Sequence, residues 1–194
     1  WLAMRGAENP EGTIFAVGRD AGVPHSVGDD AAPVEVGKSI VFDIFPCEAG
    51  GGYFYDMTRT WCLGFAPDEV QRAHEEVLAV QQEMCAALRA GTPFREYQKR
   101  TCQAFEARGH PTVQSTPGTR EGYVHSLGHG VGLAVQERPL AGYSDHNLEP
   151  LMPGAVVTVE PGLYYPERGY GVRIEDTLWI RPDGMAEVLA EFPR

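Results

Sequence analysis

The sequence predicts an α+β fold in which helices cover one face of a curved antiparallel sheet. Three observations lead there. Two apolar strand-like runs flank a glycine-rich tip early in the chain, two helical segments fill the middle, and strand-like runs return in the last third. Strands, then paired helices, then strands place the helices together on one side of a sheet.

The first 30 residues are rich in Gly, Pro and Asp around one apolar run, Thr13–Val17, which reads as a strand between loops. From Gly37 the chain runs SIVFDIF, a glycine-rich tip at residues 49–52, then YFYDMTRTWCLG. This pattern predicts two antiparallel strands joined as a hairpin, each carrying an aspartate, with Tyr53, Phe54 and Tyr55 in strand packing. Pro67, the acids Asp68 and Glu69, and Gly91 bracket a helix over about 67–90. Thr92 and Pro93 open a second helix with Phe94, Tyr97, Cys102 and Phe105 buried, and Gly109 stops it. The strands AVVTVEPGLYY, GVRIEDTLWI and AEVLA follow, the last after the PDG turn at 182–184.

At 194 residues with 43% hydrophobic content, the chain can fill the core of one domain. A net charge of −11 argues against a nucleic-acid or anionic-membrane partner. Cys47, Cys62, Cys85 and Cys102 show neither CxxC spacing nor disulfide density, so a reducing, cytoplasmic setting is expected. No stretch approaches the roughly 18 apolar residues of a membrane span, and no signal-peptide pattern opens the chain. The chain begins with Trp1 rather than Met, so an N-terminal piece is expected to be missing.

The informative feature is the position of the acids. Asp43 lies inside IVFDIF, Glu160 follows VVTV, and Glu175 interrupts VRIEDTLWI, all runs that otherwise read as buried. An isolated carboxylate there costs several kcal/mol or takes up a proton. Arg59 and Arg173 could each answer one acid, but two cations cannot compensate Asp43, Asp56, Glu160 and Glu175 if the four converge. HSLGHGVGL adds His129, set between glycines that let the backbone approach a site closely. His125 lies four residues earlier, but Gly128, Gly130 and Gly132 speak against the regular helix of a paired zinc motif. One imidazole and four carboxylates form a hard, oxygen-rich set suited to Mn²⁺, Co²⁺, Fe²⁺ or Zn²⁺ in a two-metal cluster.

The order PH, an Asp in an apolar strand, DMTRT, HSLGHGVGL, TVEPGLYY and GVRIED resembles the M24 metallopeptidases: methionine aminopeptidase, prolidase and Xaa-Pro aminopeptidase. The resemblance spans about residues 10–190, and its wording is closest to the prolidase and Xaa-Pro aminopeptidase branch. It implies the pita-bread (creatinase/aminopeptidase) fold over 1–194, lacking the family's opening helices or a preceding N-terminal domain. It implies metal ligation by Asp43, Asp56, His129, Glu160 and Glu175, with two divalent ions, Mn²⁺ or Co²⁺ ahead of Zn²⁺ or Fe²⁺. Glu160 is implied as general base, His25 as a catalytic, substrate-binding histidine, His125 as pocket lining and Arg173 as support for the carboxylates. One departure bears on function. Where the family usually reads VHE, with a histidine that helps hold the scissile carbonyl, this chain reads Val135, Gln136, Glu137. A glutamine amide still donates a hydrogen bond but cannot titrate.

The implied activity is hydrolysis of Xaa-Pro peptide bonds by water activated at two metal ions. A non-peptidase hydrolase acting on a small amide is the alternative that Gln136 raises, and a non-catalytic binding module is the third reading. A small peptide or small-molecule amide is the expected partner, with a homodimer left open. Ser126 sits in no nucleophile-elbow context, and Cys47 and Cys62 read as core-facing thiols. Tyr164 and Tyr165 suit either a pocket or the core. His74 and His110 read as surface residues.

Overall fold

In the computed structural model, which describes residues 1–144 and 146–194, the first apolar runs pair as their alternation requires. After the short strand β1 (Ala7–Glu8), β2 (Thr13–Val17) pairs antiparallel with β3 (Ser39–Ile44). Past the two-residue β4 (Cys47–Glu48), β3 also pairs antiparallel with β5 (Met57–Cys62). Successive side chains alternate across this three-stranded sheet. Ala16, Val41, Asp43, Thr58 and Thr60 are buried, while Phe15 and Trp61 are exposed. Asp43 stands in register with Ile14 on one side and Thr58 on the other. Tyr53, Phe54 and Tyr55 precede β5 instead of belonging to it, and Tyr53 faces solvent.

Two helices follow where Pro and Gly bracket them. In α1 (Asp68–Ala87), Val70, Ala73, Val77, Val80, Gln81 and Met84 recur at helical spacing and are buried. In α2 (Phe94–Glu106) the four expected residues, Phe94, Tyr97, Cys102 and Phe105, are buried. Helix α1 stops three residues before the expected end. Leu88 turns to ψ 132° and inserts into the core, while the Arg89 N–H donates to the Tyr97 hydroxyl at 2.9 Å.

The last third forms β6 (His129–Gly130), β7 (Glu137–Leu140), β8 (Val156–Val159), β9 (Gly162–Tyr165), β10 (Tyr170–Arg173), β11 (Asp176–Ile180) and β12 (Ala186–Val188). Five of them make an antiparallel sheet in the order β12-β11-β8-β6-β7, and β9 and β10 form a separate hairpin. Each of the two long runs read from the sequence breaks at its acid. Glu160 and Pro161 separate β8 from β9, and Ile174 and Glu175 separate β10 from β11. Proline has no N–H for a ladder, so the first break is written into the chain. The breaks let the β9–β10 hairpin leave the five-stranded sheet and pack on β3 and β5. Thr60 and Arg173 then bond reciprocally, the Arg173 N–H to the Thr60 hydroxyl at 3.0 Å and that hydroxyl to the Arg173 carbonyl at 2.9 Å. The main core lies between the helices and the strands β8 to β11. No helix among the described residues is long and apolar enough to cross a membrane.

Three side readings resolve here. Cys47 is buried and Cys62 half-buried, and burial raises both thiols, which suits packing over nucleophilicity. Tyr164 and Tyr165 are both buried. His110 is no surface residue: Nε2 lies 2.6 Å from Glu76 Oε2 and Nδ1 2.5 Å from the Tyr165 hydroxyl, so it ties α1 to β9.

Candidate metal centre

The breaks and the β3 register bring all five candidate ligands to one cavity of about 410 Å³. Asp43 comes from β3, Asp56 from just before β5, His129 from β6, Glu160 from the end of β8 and Glu175 from the start of β11. All five are buried. Ligand atoms of Asp56, His129 and Glu175 lie within 4.8 Å of one another. His129 Nε2 is 3.2 Å from Glu160 Oε1 and 3.7 Å from Asp56 Oδ2. His25, His125, Gln136 and Arg173 line the same cavity, with Gln136 exposed at its rim.

How these side chains are held shows what they can bind. Arg173 Nη2 donates to Asp43 Oδ2 at 2.7 Å, Nε to the Thr58 hydroxyl at 3.1 Å, and Nη1 to the Pro24 carbonyl and Tyr164 hydroxyl at 2.9 and 3.0 Å. Thr58 in turn donates to Glu175 Oε2 at 2.6 Å. Anchored on one side, these acids keep Asp43 Oδ1 and Glu175 Oε1 buried with no partner among the described residues, and the same holds for Asp56 Oδ1. His129 Nδ1 lies 3.0 Å from the Gly130 carbonyl, which keeps a proton on Nδ1 and turns Nε2 toward the acids. An imidazole held this way and carboxylates with one free oxygen are the donors a divalent cation takes. The residues fit such ions.

The glycines around His129 are needed for close approach. A Cβ on Gly128 would stand 2.2 Å from the Thr158 carbonyl oxygen, and one on Gly130 2.4 Å from the Arg138 carbonyl oxygen. With neither present, the His129 N–H reaches the Thr158 hydroxyl at 3.0 Å, and that hydroxyl donates to Glu160 Oε1 at 3.2 Å.

Without cations the cluster is electrostatically strained. Burial, then the neighbouring charges of Asp43 and Glu160, raises Asp56 well above the carboxylate range; burial and the charges of Asp56, Glu160 and Asp43 do the same to Glu175. Burial opposes the charge on Glu160 too, but His125, His129 and Arg173 hold it down at about 2. Burial likewise opposes a charged His129, and the bond to Glu160 outweighs it, raising the imidazole to about 9. Protons thus sit where cations would displace them.

Arg59 does not answer these acids. Its partner is Asp176, at 2.7 Å on the far side of the strand. Thr58 and Thr158, which orient the acids, carry no mark in the sequence, whereas Tyr164, which suited either a pocket or the core, is buried and bonds Arg173. A threonine hydroxyl in a strand carries no local signal of its partner. Glu11, Ile14, Phe45, Ala134 and Val135 complete the cavity wall.

The pattern of metallopeptidase family M24 matches residues 1–182, and the chain belongs to that family. The Xaa-Pro dipeptidase of Pyrococcus furiosus is 36% identical over 185 residues, covering 94% of this chain and 49% of that protein. The solved prolidase from Pyrococcus furiosus superposes with a TM-score of 0.86 at 32% identity, over 99% of this chain and 52% of that one. The X-Pro aminopeptidase of Thermotoga maritima gives 0.80 at 32% identity, over 94% and 47%. The α+β architecture is therefore the pita-bread fold, and the chain spans about half the length of the curated relatives it matches.

Proposed function

We propose that this chain forms the catalytic part of a hydrolase that uses two divalent metal ions to cleave Xaa-Pro peptide bonds. The observation that carries the reading is the set of buried oxygens on Asp43, Asp56 and Glu175 that have no partner among the described residues, beside a His129 whose Nε2 is turned toward the acids. The relatives named as Xaa-Pro dipeptidase and X-Pro aminopeptidase supply the bond type. Asp43, Asp56, His129, Glu160 and Glu175 would hold the ions, Mn²⁺ or Co²⁺ by the hardness of the set. Bound there, they polarise a carbonyl and make a coordinated water acidic near neutral pH.

The chain's own residues supply the rest. Glu160 is kept ionised by His125, His129 and Arg173, so it can accept a proton from the attacking water and pass it to the leaving nitrogen. His25 and His125 face each other across the pocket at 2.9 Å between Nε2 atoms, and His25 offers the donor that holds the substrate near its carbonyl. Arg173 steadies two parts at once, Asp43 and the Pro24 carbonyl next to His25. Four free cysteines match a reducing compartment, and we assign the protein to the cytoplasm.

Gln136 favours a second reading, hydrolysis of a small non-peptide amide, because the rim donor there is neutral. Metal analysis followed by a screen of Xaa-Pro dipeptides, longer Xaa-Pro peptides and non-peptide amides with Mn²⁺, Co²⁺ and Zn²⁺ separates the two. Metal-dependent release of the residue before proline is the expected result. Cleavage of amides alone selects the second reading, and a chain that binds no ion overturns both.

A further inference from the structure

Behind Glu175, on the side of the strand away from the cavity, lies a second charged cluster that the reaction does not use. Asp176 is 0% exposed. Its Oδ1 accepts from Arg59 Nη2 at 2.7 Å. Its Oδ2 accepts from Gln81 Nε2 of α1 at 2.7 Å and from Arg194 Nε and Nη2 at 2.8 and 2.6 Å. Arg59, 2% exposed, uses every donor it has. Nε bonds the Pro193 carbonyl at 2.9 Å, Nη2 also bonds the Phe192 carbonyl at 3.0 Å, and Nη1 bonds the carbonyls of Thr58 at 2.9 Å and Glu175 at 2.5 Å.

Glu175 is consequently gripped at three points. Its N–H donates to the Thr58 carbonyl at 3.0 Å, its own carbonyl accepts from Arg59, and its Oε2 accepts from the Thr58 hydroxyl at 2.6 Å. Only Oε1 is left, and it faces the metal cavity without a partner. A buried ion pair of this kind adds little net stability over apolar side chains of the same volume. What the planar guanidinium does provide is direction: its rigid fork of donors holds four carbonyls and a carboxylate at once, which a lysine cannot do.

We infer that Arg59 is a positioning residue for the metal centre. It sets the peptide from which the Glu175 carboxylate projects, and residues 192–194 close over Arg59 and Asp176 as the clasp that holds them in place. The inference rests on the reading of Glu175 as a metal ligand. It predicts that metal affinity responds to the clasp, although neither Arg59 nor Arg194 touches the cavity.

The test is calorimetric titration of the ion-stripped chain with Mn²⁺, alongside the visible absorption spectrum of the Co²⁺ form. It compares wild type, Arg59→Lys, Arg194→Ala and a core control, Val80→Ala, with folding checked by circular dichroism. Arg59→Lys and Arg194→Ala should each lose about tenfold to a hundredfold in affinity for one of the ions, the usual cost of losing support behind a ligand. They should also change the Co²⁺ spectrum, whereas Val80→Ala, at a comparable loss of melting temperature, keeps both. Arg194 is partly exposed, so its variant carries the test even if Arg59→Lys does not fold. Unchanged affinity and spectrum in folded Arg194→Ala, or a loss equal to that of Val80→Ala, overturns the inference while leaving the metal site standing. A wild-type chain that takes up no ion removes both.

Discussion

His25 and His125 face one another in the cavity, Nε2 to Nε2, at 2.9 Å. A hydrogen bond between two ring nitrogens needs one proton, so the two rings must be in different states. His125 Nδ1 lies 3.0 Å from the Ser126 carbonyl, which can only accept. Burial, the largest influence on His125, keeps its ring neutral. Its one proton is thus on Nδ1, its Nε2 accepts, and His25 donates from Nε2.

The first prediction is therefore about tautomers. Nitrogen NMR of the Zn²⁺-loaded protein should show His125 protonated on Nδ1 and His25 on Nε2 at neutral pH. A His25→Phe variant should leave the His125 tautomer in place, since the Ser126 carbonyl sets it, while substrate affinity falls. A His125 ring protonated on Nε2 would contradict the arrangement.

Removing metal should cost stability as well as activity. In the ion-free cluster Asp56 and Glu175 are raised by burial and by the charges around them, so ion binding relieves an existing repulsion. At free metal a hundredfold above its dissociation constant, linkage gives about 2.7 kcal/mol. For a chain of this length that is a rise of roughly 5 to 10 °C in melting temperature. Calorimetric scans with Mn²⁺ and after exhaustive chelation check it, and equal melting temperatures in the two states would count against the site.

Gly128→Ala should damage the site through backbone geometry alone. Its new methyl meets the Thr158 carbonyl oxygen at 2.2 Å, and a strand carbonyl cannot move aside as a flexible side chain can. The loop must shift, carrying His129 from the acids and breaking its N–H bond to Thr158. We expect a loss of about 1 to 3 kcal/mol in stability, read by denaturant unfolding, with weaker metal binding. The same substitution at Gly50, which has open space around its Cβ position but a φ of 92°, should leave metal binding unchanged.

These relationships show how far the residues alone could be read. The acids stood out because a carboxylate in an apolar run has no cheap explanation, so Asp43, Glu160 and Glu175 could be singled out one by one. Their convergence could not be derived from strand patterning, because Glu160 and Glu175 sit at breaks where the chain leaves the strand path. Pro161 announces the first break, but nothing local announces the second. Arg59 pairs outside the cluster. It could answer one of the acids as far as charge alone goes, yet period-two alternation turns Arg59 to the opposite face from Thr58, toward Asp176. The hydroxyls of Thr58 and Thr158 acquire their roles only from strands brought together across more than a hundred and about thirty residues respectively. Helix α1 ended early for a similar reason, since Leu88 gains more from the core than from another helical turn.

The last prediction concerns Gln136, where the chain departs from the family's usual histidine. Gln136 sits exposed at the rim of the cavity that holds the five candidate ligands, so it can reach a bound substrate without disturbing the buried acids. If the substrate is an Xaa-Pro peptide, the Gln136 amide donates to the scissile carbonyl, and its neutral N–H is a weaker donor than an imidazolium as negative charge develops on that oxygen. Gln136→His should then raise kcat with KM little changed, because the stronger bond forms only in the transition state. A gain of about 1 to 3 kcal/mol corresponds to roughly a tenfold to hundredfold increase in rate. Its pH profile should also acquire a new limb near the ordinary histidine range, absent from the wild type, since glutamine does not titrate. If the natural substrate is instead a small amide with its own polar group against Gln136, the variant loses that activity and gains no peptidase activity. Steady-state kinetics on an Xaa-Pro peptide and on the best amide from the substrate screen, with metal content matched between wild type and variant, decides between these outcomes.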